Sequence, residues 1–155
     1  MARTKQEKSD FENTLAELEK KYGMRSTISE KYTITSTGSV QLDKAMRIGG
    51  TPLGKIIEIF GPESSGKTTV TLHQIAEYQK AFPERRVALF DYEHSFDPSY
   101  AKAIGVDVDK LLIYQPDNQE SGYDMILALI EKELASCIAI DSQTAAATKA
   151  VIDGE

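Results

Sequence analysis

Gly61, Gly66, Lys67 and Thr68 stand at the spacing G-x-x-x-x-G-K-[ST] in the stretch GPESSGKT. Those residue types at that spacing suit one task, the wrapping of a chain of phosphates. The glycines let the backbone turn tightly enough to aim several N–H groups at one anion. Pro62, Glu63, Ser64 and Ser65 complete the loop, and Thr69 follows it. A helix beginning here adds its positive N-terminal end. Lys67 can reach the β- and γ-phosphates as a mobile point charge, and the Thr68 hydroxyl can ligate Mg²⁺. The competing reading is a chance Gly/Ser turn, against which stand the apolar run before the loop and the helical pattern after it.

Transfer of a phosphoryl group to water needs Mg²⁺ held in place and a carboxylate to position the attacking water. In parallel α/β sheets such groups collect at the carboxyl ends of strands. CIAIDS places Asp141 after an apolar run, as an Mg²⁺ carboxylate or as a turn cap at a strand end. VALFDYEH ends with Asp91, Glu93 and His94. Glu93 is the candidate for orienting water. His94 reads as a packing residue and His73 as structural or surface. Two histidines and one cysteine cannot close a zinc site without acidic ligands.

The elements that must position these groups follow a regular pattern. KIIEIF (55–60) reads as a buried strand, KTTVTLHQIAEYQKAF (67–82) as a helix, and RVALFDY (86–92) as the next strand. A short helix over 97–105, with Pro98 in its first turn, leads to a strand over 111–115. A helix over 119–136 and a strand over 137–142 complete the alternation, which predicts an α/β domain with a largely parallel sheet. Upstream, Ser9 and Glu12 have capping-box spacing. Phe11, Leu15, Leu18 and Tyr22 recur at helical intervals, predicting a helix over 10–22 that Gly23 ends. KYTITST (31–37) reads as a short strand. The organisation expected is an N-terminal helix–strand element over 1–36 on one core over 37–155.

Composition sets limits. The 155 residues suffice for one domain with a core, and a net charge of −6 argues against a general basic surface for DNA. The single cysteine, Cys137, allows no intrachain disulfide and fits a reducing compartment. No stretch resembles a signal peptide or a membrane span. The expectation is a soluble, cytoplasmic protein.

With these motifs in place, the chain resembles the bacterial RecA recombinase family. TSTGSVQLDKAM (35–46), GGTPLGKIIEIFGPESSGKTTVTL (49–72), FDYEHSFDPSYAKAIGVDVDKLLIYQPD (90–117) and IDSQTAAATKAVIDGE (140–155) carry the likeness, in order and over nearly the whole chain. The resemblance implies a P-loop NTPase core of RecA type using ATP and Mg²⁺. In it Glu93 activates water, Asp141 is the Walker B carboxylate, and Asp97 and Tyr100 contact or stack on adenine. It implies an ATP-dependent filament on single-stranded DNA, acting in recombination and repair, with the N-terminal element docking on a neighbouring protomer. It also implies that both DNA-binding loops and the strand between the P-loop strand and the Walker B strand lie beyond residue 155. The sheet of these residues alone should then either pair those two strands directly or contain a gap, and these residues alone should not run DNA-stimulated hydrolysis. Tyr92 departs from the family, which has a small residue there. Two further readings are a non-catalytic module that docks on an intact recombinase and a helicase-type motor of the same fold.

Overall fold

A computed structural model describes residues 5–22 and 32–154. The chain divides into two compact units, with the boundary between Tyr32 and Thr33. In the first, α1 spans Lys5–Tyr22. It begins before the expected capping box, so Ser9 and Glu12 lie inside it. The four residues Lys5–Lys8 are good helix formers and extend it upstream. Lys20 and Lys21 in its last turn face the negative end of the helix dipole. Gly23, the expected stop, and Lys31, the first residue of the expected strand, lie outside the described residues.

The second unit is built around β3 (Arg86–Asp91), flanked in parallel by β4 (Leu111–Tyr114) and β5 (Ala135–Asp141), in the order β4-β3-β5. β3 is buried on both faces, which is why RVALFD reads as a nearly continuous apolar run. Val87 and Leu89 join Leu72, Ile75, Ala76 and Tyr78 of α3 (Lys67–Ala81) and Ala101 of α4 (Pro98–Ile104). Ala88 and Phe90 turn to the opposite side, against Leu129 of α5 (Gln119–Glu131). Phe90 also meets the Tyr114 ring edge-on, with centroids 5.6 Å apart. The result is three layers, helix on sheet on helix. Each large side chain buried this way contributes about 1.5–3 kcal/mol relative to exposure.

α5 ends earlier than its sequence pattern suggests, and β5 starts earlier. Lys132 caps the helix, Glu133 takes a left-handed φ of 51°, and the Leu134 N–H donates back to the Leu129 carbonyl at 3.1 Å. This reversal consumes 132–134, which the expected helix over 119–136 had included. Past β5, the Gln119 N–H donates to the Ala147 carbonyl at 2.8 Å. The Glu120 carboxylate accepts from the Lys149 N–H at 3.0 and 3.2 Å, so the chain is tied back to the start of α5.

A small antiparallel pair stands apart from the main sheet: β1 (Ile34–Thr35) with β2 (Thr51–Pro52). Between them runs α2 (Val40–Ala45), capped by Ser39. Asp43 binds the preceding turn, accepting from the Ser36 hydroxyl at 2.6 Å and from the Thr37 N–H and hydroxyl at 2.8 and 2.6 Å. Burial pushes the Asp43 carboxyl up, but these three hydrogen bonds outweigh it and hold it below the ordinary carboxylate value.

The run KIIEIF corrects an expectation. Residues 55–60 form no strand, and among the described residues β5 pairs only with β3. Neither outcome expected for the sheet, direct pairing of the two strands or a gap between them, is found: the sheet ends at β5 and the run before the loop is not a strand. A strand needs a neighbour to take its N–H and C=O groups, and among the described residues no strand pairs with this run. Ile56 and Phe60 are 102% and 85% exposed, beside Ile57 and Ile59 that are also exposed. An exposed apolar run together with an open strand edge is an association liability. Replacing both Ile56 and Phe60 by Lys should therefore lower self-association in sedimentation velocity. Because neither side chain is packed, the urea unfolding free energy should move by no more than about 0.5 kcal/mol. A loss several times larger would show that the run is packed after all.

Candidate functional site

The loop Gly61–Thr68 joins the exposed run to α3. Gly66 caps the helix with φ 92°, and Ser64 is also left-handed with φ 59°. Alternating handedness of this kind turns successive N–H groups toward one point. The Ser65 N–H closes the turn on the Pro62 carbonyl at 3.3 Å, and the Val70 N–H makes the first helical bond, to Gly66, at 3.0 Å. The N–H groups of the first turn of α3 otherwise have no helical acceptor and remain available to an anion. The Lys67 ammonium lies back across the loop, donating to the Gly61 and Pro62 carbonyls at 3.1 and 3.0 Å.

Thr68 and Asp141 are 73 residues apart in sequence, yet the Thr68 hydroxyl donates to the Asp141 carboxylate at 2.8 Å. A cleft of about 430 Å³ opens here, lined by Glu63 to Thr69, Glu93 and Asp141. That volume is within the range of small-molecule sites. Three expected groups of different chemistry thus share one space: the phosphate loop, the hydroxyl–carboxylate pair and Glu93. Asp97 and Tyr100 lie outside the cleft's lining. Asp97 caps α4, its carboxylate accepting from the Ser99 and Tyr100 N–H groups at 2.8 and 3.2 Å. The Tyr100 hydroxyl lies 2.8 Å from that of Thr69, which places the half-exposed ring at the cleft's rim.

The donor set fits Mg²⁺ better than a transition metal. One carboxylate and one hydroxyl meet beside a phosphate loop, and Mg²⁺ is usually held by one or two such groups plus phosphates and water. Among the described residues no three His, Cys, Asp or Glu side chains form a metal cage.

Asp91, marked in the sequence only as an acid at a strand end, has a definite place here. The side chain is only 2% exposed at the end of β3. Its carboxylate accepts from the Ser95 N–H at 3.2 Å, the Phe96 N–H at 3.1 Å and the Gln115 side-chain amide at 2.9 Å. Burial pushes its pKa up, but the Gln115 amide, the two backbone N–H groups and the nearby His94 hold it below the ordinary value. Tyr92, beside it, donates its N–H to the Asp141 carbonyl at 2.8 Å. Its phenol occupies the notch that Gly122 leaves in α5, where any Cβ would collide with the hydroxyl oxygen. Burial among Tyr123, Tyr114 and Glu120 pushes the Tyr92 hydroxyl pKa up. Cys137, half-buried in β5, is pushed up to about 11 by desolvation and is poorly suited to act as a nucleophile.

Two predictions follow from these contacts. In an ordinary helix Gly→Ala gains about 1 kcal/mol. Here Gly122→Ala should destabilise the chain, and the sign should reverse in a Tyr92→Ala background, as read by a double-mutant cycle in urea. Additive effects would show that the two residues do not meet. Asp91→Asn should cost about 1–3 kcal/mol at neutral pH, because buried donors lose their ionised acceptor. A depressed native pKa gives stability that is complete above the unfolded value and is lost as pH falls through the native one. The gap between Asp91→Asn and native protein should therefore narrow below about pH 4. A gap that does not change with pH would contradict an ionised Asp91.

Comparison with known proteins agrees with the motifs. The family described as RecA N-terminal domain matches residues 9–155. Protein RecA of Ruminococcus albus is 47% identical, over 97% of this chain and 39% of its own length. Protein RecA of Streptomyces venezuelae is 44% identical, over 100% of this chain and 42% of its own length. Protein RecA of Phytoplasma mali is 46% identical, over 94% and 44% respectively. The chain spans about two-fifths of the length of these curated relatives.

Proposed function

The chain belongs to the RecA family, and we propose that it is the ATP-binding part of a recombinase that works as an ATP-dependent filament on single-stranded DNA. The observation that carries this reading is the 2.8 Å hydrogen bond between Thr68 and Asp141 at the foot of the phosphate loop, in a cleft that Glu93 also lines. Hydroxyl, carboxylate and second carboxylate are what Mg²⁺-assisted attack of water on a terminal phosphate requires.

Bound Mg²⁺·ATP would supply the scissile phosphoryl group and the cation that neutralises its charge. The chain's own residues divide the remaining work. The N–H groups of the loop and of the first turn of α3 cradle the phosphates. Lys67 exchanges its two carbonyl partners for phosphate oxygens. Thr68 and Asp141 hold the metal, directly or through water. Glu93 orients the attacking water and accepts its proton. Asp97 and Tyr100, at the Thr69 side of the cleft, receive the base. The outward residues of α1, among them Leu18 and Tyr22 at 37% and 63% exposure, serve contact with a neighbouring subunit. No helix among the described residues is long and apolar enough to cross a membrane.

The test is binding of a fluorescent ATP analogue with Mg²⁺. A hydrogen bond to a charged partner is worth about 1.5–3 kcal/mol, so Lys67→Ala should weaken binding by roughly 10- to 100-fold. Asp141→Asn should reduce the gain in affinity that Mg²⁺ confers. Binding by Lys67→Ala as tight as by native protein would remove the phosphate-cradle reading.

A further inference from the structure

We propose that Asp91 is a positioning residue for the site: through the 92–96 turn, its buried carboxylate holds Glu93 facing the nucleotide cleft. This rests on the reading of Glu93 as the group that orients water.

The turn carrying Glu93 is clamped at both ends. At its start, the Tyr92 N–H is bonded to the Asp141 carbonyl, and the Tyr92 ring is seated against Gly122. At its end, the N–H groups of Ser95 and Phe96 converge on the Asp91 carboxylate. The convergence requires the chain to reverse between them, which His94 does at a left-handed φ of 54°. Outside glycine that conformation is uncommon and persists where surrounding bonds enforce it. Glu93 sits between the two clamps, exposed itself but carried on backbone that is fixed on either side.

Asp91 is aimed by the sheet. Phe90 pairs with Tyr114 across β3 and β4, so the residues that follow, Asp91 at the end of β3 and Gln115 just past β4, come close enough to bond. The Gln115 amide then donates to the same carboxylate oxygen that takes the Phe96 N–H. Asp91 does not reach the ligand space. The void it borders, between Asp141, Thr68 and Phe96, measures about 10 Å³, room for one water at most. Its influence on chemistry must therefore pass through the turn. The reach of that influence is large, since a 1 Å misplacement of a reacting group can cost about 100-fold in rate.

A purely structural Asp91 would lower stability and leave Glu93 where it is in the folded molecules. The two cases separate by paramagnetic NMR on the chain, with Mn²⁺ and a non-hydrolysable ATP analogue as the probe. In native protein, the Ser65 and Thr68 amides and the Glu93 side-chain carboxyl should all be broadened. In Asp91→Asn, broadening at Glu93 should fall several-fold while Ser65 and Thr68 keep theirs. Gln115→Met, which removes one of the three donors and is the milder change, should shift Glu93 in the same direction by less. Unchanged Glu93 broadening in folded Asp91→Asn overturns the proposal; if that variant does not fold, unchanged broadening in Gln115→Met does so. Absence of broadening at Ser65 and Thr68 in native protein would instead refute the nucleotide site, and the proposal with it.

Discussion

The register of β5 against β3 is the constraint on which the site depends. Asp91 and Asp141 are partners across that pair. The pairing puts the Asp141 carbonyl where the Tyr92 N–H can reach it, so the turn bearing Glu93 starts from a fixed point. It also brings the Asp141 carboxylate level with the first turn of α3, where Thr68 meets it. A slip of one residue would turn every side chain of β5 to the opposite face. Asp141 would then leave the cleft, and Ile138 and Ile140 would leave the apolar cluster under α5. Packing and chemistry are thus fixed by one choice of register, and the apolar cost of a slip protects the geometry of the carboxylates.

The two aspartates at this register are neighbours with contrasting surroundings. Asp91 spends its acceptor capacity on three protein donors and is sealed behind a void the size of a water molecule. Among the described residues Asp141 has one protein donor, the Thr68 hydroxyl, and it faces the open cleft. A carboxylate saturated by fixed donors rigidifies what surrounds it, whereas one with free lone pairs can take a cation. On the proposed reading, that difference in saturation, more than burial alone, separates the group that shapes the site from the group that works in it.

Much of this was legible in the sequence, for physical reasons that differ by element. α3 and β3 were readable because each has one strong local signal: the glycine-to-lysine loop before α3, and a β3 buried on both faces. The link between Thr68 and Asp141 followed from chemistry, since a phosphate loop needs a carboxylate on a neighbouring strand. Three features were not readable. The run KIIEIF has the composition of a buried strand, but strand formation depends on a partner that local sequence does not encode. The turn at Lys132–Leu134 is set by a left-handed Glu133, a conformation with no marker when the residue is not glycine. Asp91 was visible only as an acid at a strand end. Its donors come from the following turn and from β4, and the pairing of β4 with β3 is a tertiary fact. Tyr92 was visible as a departure from the family, but Gly122, 30 residues on, is unremarkable alone and informative only as its partner.

The cleft does not need the run 55–60 as a strand, and the reason lies in how the phosphate loop is hung. Its C-terminal half is the beginning of α3, which Leu72, Ile75 and Ala76 press against β3 and its neighbours. Gly66, Lys67 and Thr68 therefore inherit the stability of the core. The N-terminal half, from Gly61 to Ser65, follows residues without sheet pairing and is itself exposed. Segments with few buried contacts open at lower free energy than the core. The hydroxyl–carboxylate pair is consequently built on the rigid part of the molecule, and the half of the cradle that must wrap the phosphates is built on the part that yields. Lys67 bridges the two, rooted in α3 and bonded to the Gly61 and Pro62 carbonyls. On the proposed reading, an anion that drew the ammonium away from those carbonyls would also release the N-terminal half to close around it, which would couple ligand binding and loop ordering through a single side chain.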